Sequence, residues 1–269
     1  MSGIDSTARV EKGASIGKDV TIGPYCVIGG GVTIEDGCRI AAHVVISGRT
    51  RVGARTEVAP FSSLGAAPQS VHYKGEDTAV EIGADCKIFE HVTMSRGTMS
   101  AGGVGLTKIG EKCMLMNGAH VGHDCVVGNN VVFASNATLG GFANVGDNVF
   151  LGGLCAVHQF TRIGEQAMIG GVVGVTSDVI PYAIVIGHRG ELAGLNRVGL
   201  RRRGFKTADI QTLYSAYKAL FFGAGVFKDR VETVANQYAG APLVMRVVEF
   251  IRAGKRPLMN PRSDADSGE

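Results

Sequence analysis

A histidine, the acid beside it and a glycine further along the chain are the residues best suited to do chemistry together. His123 stands in the stretch NGAHVGHDC, directly before Asp124, and Gly141 follows it eighteen positions later. A neutral imidazole can take a proton from an attacking hydroxyl or amine as a general base. A backbone N–H beside that base can stabilise the oxyanion of a tetrahedral intermediate. This set of groups would catalyse acyl transfer, provided that the fold brings residues eighteen apart together.

The elements that would position these groups follow from a repeat of six residues. Apolar residues, nearly all branched, occupy every sixth position from Val10 to Leu64, from Ile82 to Met94 and from Ile109 to Val175. Neither an α-helix nor simple alternation has this period. A three-sided solenoid has it, because each hexad supplies one short strand and one corner, with the apolar residue inside and glycine easing the tight turn. Three hexads then make one coil of eighteen residues.

Residues eighteen apart are therefore expected to lie above one another in columns. Gln159 joins His123 and Gly141 in one column. A second column of small and polar residues, suited to close packing of a ligand chain or a neighbouring subunit, contains Asn117, Ser135, Gly153 and Gly171. A third column, expected to face solvent, contains Glu111, Asn129, Asp147 and Glu165.

The predicted fold class is mainly β. A left-handed parallel β-helix of hexapeptide repeats is expected over residues 1–187, followed by a C-terminal α-helical domain over 188–269. Loops at 66–81 and 98–108 interrupt the repeat. Long loops in a compact repeat are usually functional or disordered, so each loop either belongs to a site or is an edge flap without a role.

Helical spacing replaces the hexads beyond Pro181. Thr207 is the predicted N-cap of a first helix, and apolar residues follow it at steps of three and four. Second and third helices are predicted over 226–238 and 243–251. Residues 263–269 are expected to form a frayed tail.

Composition limits the class of protein. Glycine makes up 40 of 269 residues without a collagen period, Trp is absent and aromatic residues are only 6%, so small branched side chains must build the core. A net charge of +3 is too small for a general nucleic-acid binder. The six cysteines form no CxxC pair, and no apolar run approaches the ~18 residues of a membrane helix. We expect a reduced, cytoplasmic protein without an integral membrane segment.

The histidines, Asp124 and the arginine cluster each need a second interpretation or a further condition. His91, His120 and His123 could bind zinc at a subunit interface, as in hexapeptide-repeat carbonic anhydrases, although that family spaces its paired histidines more widely than HxxH. Asp124 could orient His123 only at a corner, because neighbours in an extended strand face opposite sides. The three arginines of GLRRRGF could be solvated charge or could bind phosphates.

The whole set of motifs resembles one family, the acyl-carrier-protein-dependent UDP-N-acetylglucosamine O-acyltransferases of the lipid A pathway. The matching stretches span nearly the whole chain and are IGPYCVIG, YKGE, SRGT, GLTKIG, NGAHVGHDCVVGNN, NATLGG, AVHQF, MIGG and GLRRRGF. The resemblance implies transfer of a (3-hydroxy)acyl chain from acyl-carrier protein to the 3-position of a UDP-amino-sugar, without a cofactor or metal. It also implies a homotrimer with active sites between neighbouring prisms.

The resemblance assigns roles to individual residues. It makes His123 the general base and Gly141 the oxyanion donor. Asp124 joins them as the third candidate catalytic residue, for the orienting role described above. It implies substrate-binding residues at Gln69, Ser70, His72, His120, His158, Gln159, Asn196, Arg202 and Arg203. It implies an acyl groove at Met116, Gly153, Gly171 and Arg189.

Four positions depart from the family pattern around the acceptor. Ser70 stands in place of an Asp, Ser95 and Phe142 in place of histidines, and Val198 in place of an acidic residue. The acceptor could therefore be UDP-N-acetylglucosamine or its 3-amino analogue. The alternatives are the sister UDP-3-O-acylglucosamine N-acyltransferase, which normally carries a further N-terminal domain, and a noncatalytic β-helix that binds a sugar nucleotide.

Overall fold

Short parallel strands wind into a three-sided prism in this computed structural model, which describes residues 3–100 and 102–262. Within those residues three sheets of 11, 9 and 8 strands form a left-handed parallel β-helix. The predicted fold class is confirmed. The predicted tail at 263–269 lies outside the described residues.

The strands of each sheet recur once in every coil. The first sheet contains β1 (Gly3–Ile4), β4 (Thr21–Ile22), β7 (Arg39–Ile40), β10 (Glu57–Val58), β13 (Lys87–Ile88), β16 (Met114–Leu115), β19 (Val132–Phe133), β22 (Phe150–Leu151), β25 (Met168–Ile169), β27 (Ala183–Ile186) and β28 (Glu191–Leu195). The second contains β2 (Arg9–Val10), β5 (Val27–Ile28), β8 (Val45–Ile46), β11 (Ser63–Ala66), β14 (Thr93–Ser95), β17 (His120–Val121), β20 (Thr138–Leu139), β23 (Ala156–Val157) and β26 (Gly174–Val175). The third contains β3 (Ser15–Ile16), β6 (Thr33–Ile34), β9 (Arg49–Val52), β12 (Ala79–Ile82), β15 (Leu106–Ile109), β18 (Val126–Val127), β21 (Asn144–Val145) and β24 (Arg162–Ile163).

The strand register confirms the columns. His120 pairs with Thr138, and Thr138 pairs with Ala156. The sixth-position residues point inward and are buried from Ile22 onward, whereas Val10 and Ile16 at the open N-terminal end are only half-buried. Burial of these branched side chains is the main force that holds one coil on the next.

Both interruptions of the repeat leave the prism at the same corner. The first loop covers residues 67–78, between β11 and β12, and the second covers 96–105, between β14 and β15. Strands therefore include residues 66, 79–81 and 106–108 of the two predicted loops, and the second loop begins two residues earlier than predicted. Each loop leaves the second sheet and returns in the third, which is also where the chain turns after His123.

The first sheet continues beyond the last hexad before the helices begin. β27 and β28 form an antiparallel hairpin, and the predicted boundary at 187/188 falls in its turn. The helices are α1 (Arg197–Arg202), α2 (Thr207–Phe222), α3 (Phe227–Gln237) and α4 (Pro242–Arg252). The prediction that Thr207 is an N-cap is wrong by one position, because Lys206 is the N-cap and makes no side-chain cap bond. The described helices are all too short or too polar to span a bilayer.

Candidate active site

The prism has three corners, which we name by the sheets they follow. The first corner carries Asn117, Ser135, Gly153 and Gly171, the second carries His123, Gly141 and Gln159, and the third carries Glu111, Asn129, Asp147 and Glu165. Backbone bonds join the second corner from coil to coil. The N–H of Phe142 donates to the carbonyl of His123 at 2.9 Å, and that of Phe160 donates to the carbonyl of Gly141 at 3.0 Å.

The corner geometry brings His123 and Asp124 together although they are neighbours in sequence. Asp124 has a φ of 59°, so the chain turns there instead of continuing as a strand. His123 Nδ1 lies 2.9 Å from Asp124 Oδ2, and an ionised carboxylate can only accept that bond. The proton is then held on Nδ1, which leaves the Nε2 lone pair for a reactant. The corner geometry that orientation of His123 by Asp124 requires is therefore present.

A second observation concerns the fit of Gly141 against this imidazole. A Cβ at Gly141 would lie 2.7 Å from both Cε1 and Nε2 of His123, a distance that only a bare Cα permits. The N–H of Gly141 makes no hydrogen bond to any of the described residues. An unpaired donor therefore lies beside the nitrogen that would act as base.

Aromatic rings complete the second corner. The ring of Phe142 meets His123 edge-on at 5.3 Å between centroids and stacks on Phe160 at 4.5 Å. Phe142, which replaces a histidine of the family pattern, therefore gives the imidazole an apolar wall. Ser95 is buried in β14, Ser70 is half-buried, and Val198 is 57% exposed.

The other histidines predicted to bind substrate have different surroundings. His120 is half-buried, with Nδ1 2.7 Å from Thr93 Oγ1. Burial lowers the pKa of His120, and the nearby His123 lowers it further. His158 is exposed, and its Nδ1 lies 3.0 Å from the carbonyl oxygen of Gln159, itself exposed. His91 lies at the first corner, stacked on Phe61, and no set of three His, Cys, Asp or Glu side chains in the described chain is arranged to hold a metal ion.

The first loop carries Gln69, Ser70 and His72 above the second corner. Gln69 and His72 are exposed. Arg96 fixes the loop, since Nη1 donates to the carbonyl of Gly65 at 2.6 Å and Nη2 to the hydroxyl of Tyr73 at 2.9 Å. Sequence reasoning did not single out this tie, although Arg96 and Tyr73 belong to the matched stretches SRGT and YKGE.

The residues predicted to form an acyl groove lie at the first corner and near it. A Cβ at Gly171 would meet the carbonyl oxygen of Gly153 at 3.2 Å, so a side chain at Gly171 would crowd the backbone of the coil before it. Met116 is half-buried, and Arg189 is exposed in the turn of the β27–β28 hairpin. The carbonyl of His188 accepts from the N–H of Gly174 at 2.9 Å, which ties this turn to the second sheet.

The predicted nucleotide-binding residues lie elsewhere on the chain. Asn196 is buried as the N-cap of α1, where Nδ2 donates to the carbonyl of Gln166 at 2.9 Å and Oδ1 accepts from Gly199 at 3.0 Å. Arg203 Nη2 donates to the carbonyl of Asn148 at 3.1 Å, and burial lowers the pKa of Arg203. Gln166 and Asn148 belong to the third corner, so one chain does not bring this group to His123; Arg202 is exposed.

The chain matches known proteins along nearly its whole length. A family model described as Udp N-acetylglucosamine O-acyltransferase, domain 2, matches residues 178–259, and a bacterial transferase hexapeptide model matches 13–48 and 106–141. An acyl-(acyl-carrier-protein)-UDP-N-acetylglucosamine O-acyltransferase from Azorhizobium caulinodans is 56% identical over 96% of this chain and 95% of its own. Its namesake from Bartonella tribocorum is 50% identical over 99% of both chains.

Solved structures agree with this match. The UDP-N-acetylglucosamine acyltransferase from Campylobacter jejuni has a TM-score of 0.91 and 33% identity, covering 97% of this chain and 100% of its own. Identity at this level over nearly full length, together with the shared fold, settles the family. The chain belongs to the acyl-(acyl-carrier-protein)-UDP-N-acetylglucosamine O-acyltransferase family.

Proposed function

We propose that this enzyme transfers a 3-hydroxyacyl chain from acyl-carrier protein to the 3-position of UDP-N-acetylglucosamine, the first step of lipid A biosynthesis. The 3-hydroxyl attacks the thioester carbonyl while His123 Nε2 takes the hydroxyl proton. The oxyanion forms against the N–H of Gly141. Collapse of the tetrahedral intermediate expels the carrier thiolate, which receives the proton from the imidazolium, and no covalent enzyme intermediate forms.

The single observation that carries this proposal is the second corner. His123 Nδ1 is 2.9 Å from a buried carboxylate, and Gly141 packs its bare Cα against the imidazole with its N–H unpaired among the described residues. Binding of a sugar nucleotide without catalysis does not require a base beside an unpaired backbone N–H. The named relatives are O-acyltransferases, which favours this reaction over the N-acyltransferase of the sister family.

We propose that the working unit is a homotrimer. The base lies at the second corner, whereas Arg203 and Asn196 contact residues of the third. A neighbouring prism that presents its third corner or its helical domain to this second corner would bring the nucleotide to the base. Placing the site between two subunits therefore explains why one chain separates the two groups.

We propose that an acidic acyl-carrier protein binds at the exposed arginines of α1, through electrostatic attraction. Arg201 and Arg202 are exposed in the last turn of that helix. We place the reaction in the cytoplasm, where all six cysteines, which are buried and unpaired, would remain reduced.

We propose the 3-amino analogue of the sugar as a second acceptor. Ser70 offers a hydroxyl where the family pattern has a carboxylate, and Phe142 offers an apolar edge to His123. Amide formation from a thioester is further downhill than ester formation, so an amine needs less activation than a hydroxyl. His123 would still take the proton that the amine loses.

The test is mass spectrometry of the product that the purified protein forms from a mixed acyl-carrier-protein donor pool and both UDP-sugars in competition. We expect one acyl chain length on either sugar, and kcat/KM for each acceptor gives the preference. A strong preference for the hydroxyl sugar would refute the amine proposal alone. Absence of any acylated sugar would refute the proposed function.

A further inference from the structure

We propose that Thr98 is a positioning residue that aims the Asp124 carboxylate at the base. The inference deepens the proposed function and rests on it. Thr98 lies in the second loop, which the repeat pattern marks only as an interruption. It is fully buried, and its own side chain reaches the acid that pairs with His123.

Thr98 makes a two-part contact with Asp124. Its backbone N–H lies 3.0 Å and 2.9 Å from the two carboxylate oxygens, and its hydroxyl donates to Oδ2 at 2.8 Å. The same hydroxyl is 3.2 Å from the carbonyl of Ser100, so its single proton has the shorter bond to the carboxylate. Oδ2 is the oxygen that also pairs with His123 Nδ1.

The Asp124 carboxylate is otherwise shielded from solvent. The Asp124 side chain is only 3% exposed, and its backbone N–H donates to Thr107 Oγ1 at 2.8 Å. No lysine or arginine among the described residues forms an ion pair with this carboxylate. Hydrogen bonds from neutral donors therefore stabilise its negative charge, and preorganised donors of this kind cost no reorganisation during the reaction.

Glycines in the loop keep Thr98 in place. The N–H of Gly105 donates to the carbonyl of Thr98 at 2.9 Å. A Cβ at Gly103 would come within 2.9 Å of Asp124 Oδ1, and one at Gly97 would collide with the backbone of Gly105 and Leu106. The loop therefore closes tightly over the carboxylate, and a side chain at either glycine would push Thr98 away from it.

The same short segment also holds the first loop. Arg96, two positions before Thr98, ties Tyr73 and Gly65, and this fixes the loop that carries Ser70. Residues 96–98 thus connect the proposed acceptor loop with the acid behind the base. These contacts are possible because both interruptions leave the prism at the second corner in successive coils.

The test compares Thr98→Val, which removes the hydroxyl at nearly constant size, with Thr98→Ser, which keeps it. Thr56→Val is the matched control, because Thr56 is equally buried and its hydroxyl bonds only backbone groups of Gly83 and Cys86. We expect kcat to fall about tenfold in Thr98→Val, the scale of one hydrogen bond to a charged group. The KM values for the acyl donor and the UDP-sugar should be unchanged in Thr98→Val. Thr98→Ser should have the wild-type kcat, and Thr56→Val should lower only thermal stability.

A double-mutant cycle with Asp124→Asn shows whether Thr98 acts through the acid. Thr98→Val should cost nothing further once the carboxylate is gone. Additive losses, or a Thr56→Val variant as impaired as Thr98→Val, would overturn the proposal.

An independent readout is the downfield proton resonance of His123 Nδ1–H, assigned by its absence in His123→Ala. It should be present in the wild type and in Thr98→Ser and shifted in Thr98→Val. An unchanged resonance in Thr98→Val contradicts the positioning role, whatever the activity assays find. A wild type that transfers no acyl group contradicts the proposed function, and the resonance still decides the role of Thr98.

Discussion

The second and third corners of the prism share one backbone and differ in what their side chains do. The turn residues Asp124, Phe142 and Phe160 have φ values of 59°, 62° and 64°. Their counterparts Asn130 and Asn148 at the third corner have 55° and 59°. Any difference in chemistry between these corners therefore comes from side chains and not from the path of the chain.

Polar side chains at the third corner cap several of its backbone N–H groups. Asn129 Oδ1 accepts from the N–H of Glu111 at 2.9 Å, and Asp147 Oδ1 accepts from the N–H of Asn129 at 2.7 Å. Asp36 and Lys18 repeat the same bond near the N-terminus at 2.8 Å. In these coils a polar side chain therefore caps the corner of the coil before it.

The second corner lacks this ladder. Gly141 has no side chain to cap the N–H of His123, and Gln159, one methylene longer than Asn, does not bond the N–H of Gly141. A donor that the fold satisfies elsewhere is therefore left open beside the proposed base. A repeat can thus build a site by omitting a bond that several coils of its third corner make.

The largest expected effect is the loss of activity when the base at the second corner is removed. His123→Ala should lower kcat by the ~10²–10⁴ typical of a general base and leave the assembly intact. Steady-state kinetics with a sizing measurement would check this. Near-normal turnover in a folded, correctly assembled variant would remove His123 as the base.

A substitution at the first corner tests whether this corner sets the preferred length of the acyl chain. Gly171→Met places a side chain against the backbone of Gly153 and should shorten the preferred chain. Each buried methylene is worth ~0.8 kcal/mol, so the preference should change several-fold per carbon while the shortest donors keep their rate. Competition among donors of different length measures this, and an unaltered preference would mean that Gly171 is not the ruler.

The third prediction concerns the arginine that contacts the third corner. Arg203→Ala removes a cation suited to a diphosphate and should raise KM for the UDP-sugar more than it changes kcat. The matched substitution of an exposed arginine, Arg39→Ala, should change neither constant. Equal kinetics for both variants would indicate that Arg203 is solvated charge.

The smallest effect is expected at the third corner, where side chains cap the backbone. Asn129→Ala leaves the N–H of Glu111 without its partner and should lower the free energy of unfolding by about 1 kcal/mol. Its kcat should equal that of the wild type. Denaturant unfolding and the transfer assay together check this, and a kinetic defect would break the distinction between the corners.

The sequence predicts the prism and its columns because a period of six leaves few other folds. It places His123, Gly141 and Gln159 in one column, and the register agrees. It does not predict the contacts of Thr98, since they depend on how a nonrepeating loop folds back over Asp124. The β27–β28 hairpin and α1 are missed for a similar reason: short elements that follow the last hexad have no period to reveal them.

The open N–H of Gly141 is proposed to stabilise the oxyanion. Adding a side chain that accepts a hydrogen bond from this N–H tests that role most directly. Gln159→Asn places an amide oxygen where Asn129 caps Glu111, and Gln159→Ala removes the glutamine without adding a cap. Occupying an oxyanion donor should lower kcat by ~10²–10³ in Gln159→Asn, with thermal stability equal or higher in this capped variant. Gln159→Ala, which removes a residue predicted to bind substrate, should raise KM without that fall in kcat. Equal kcat in the two variants would contradict the account.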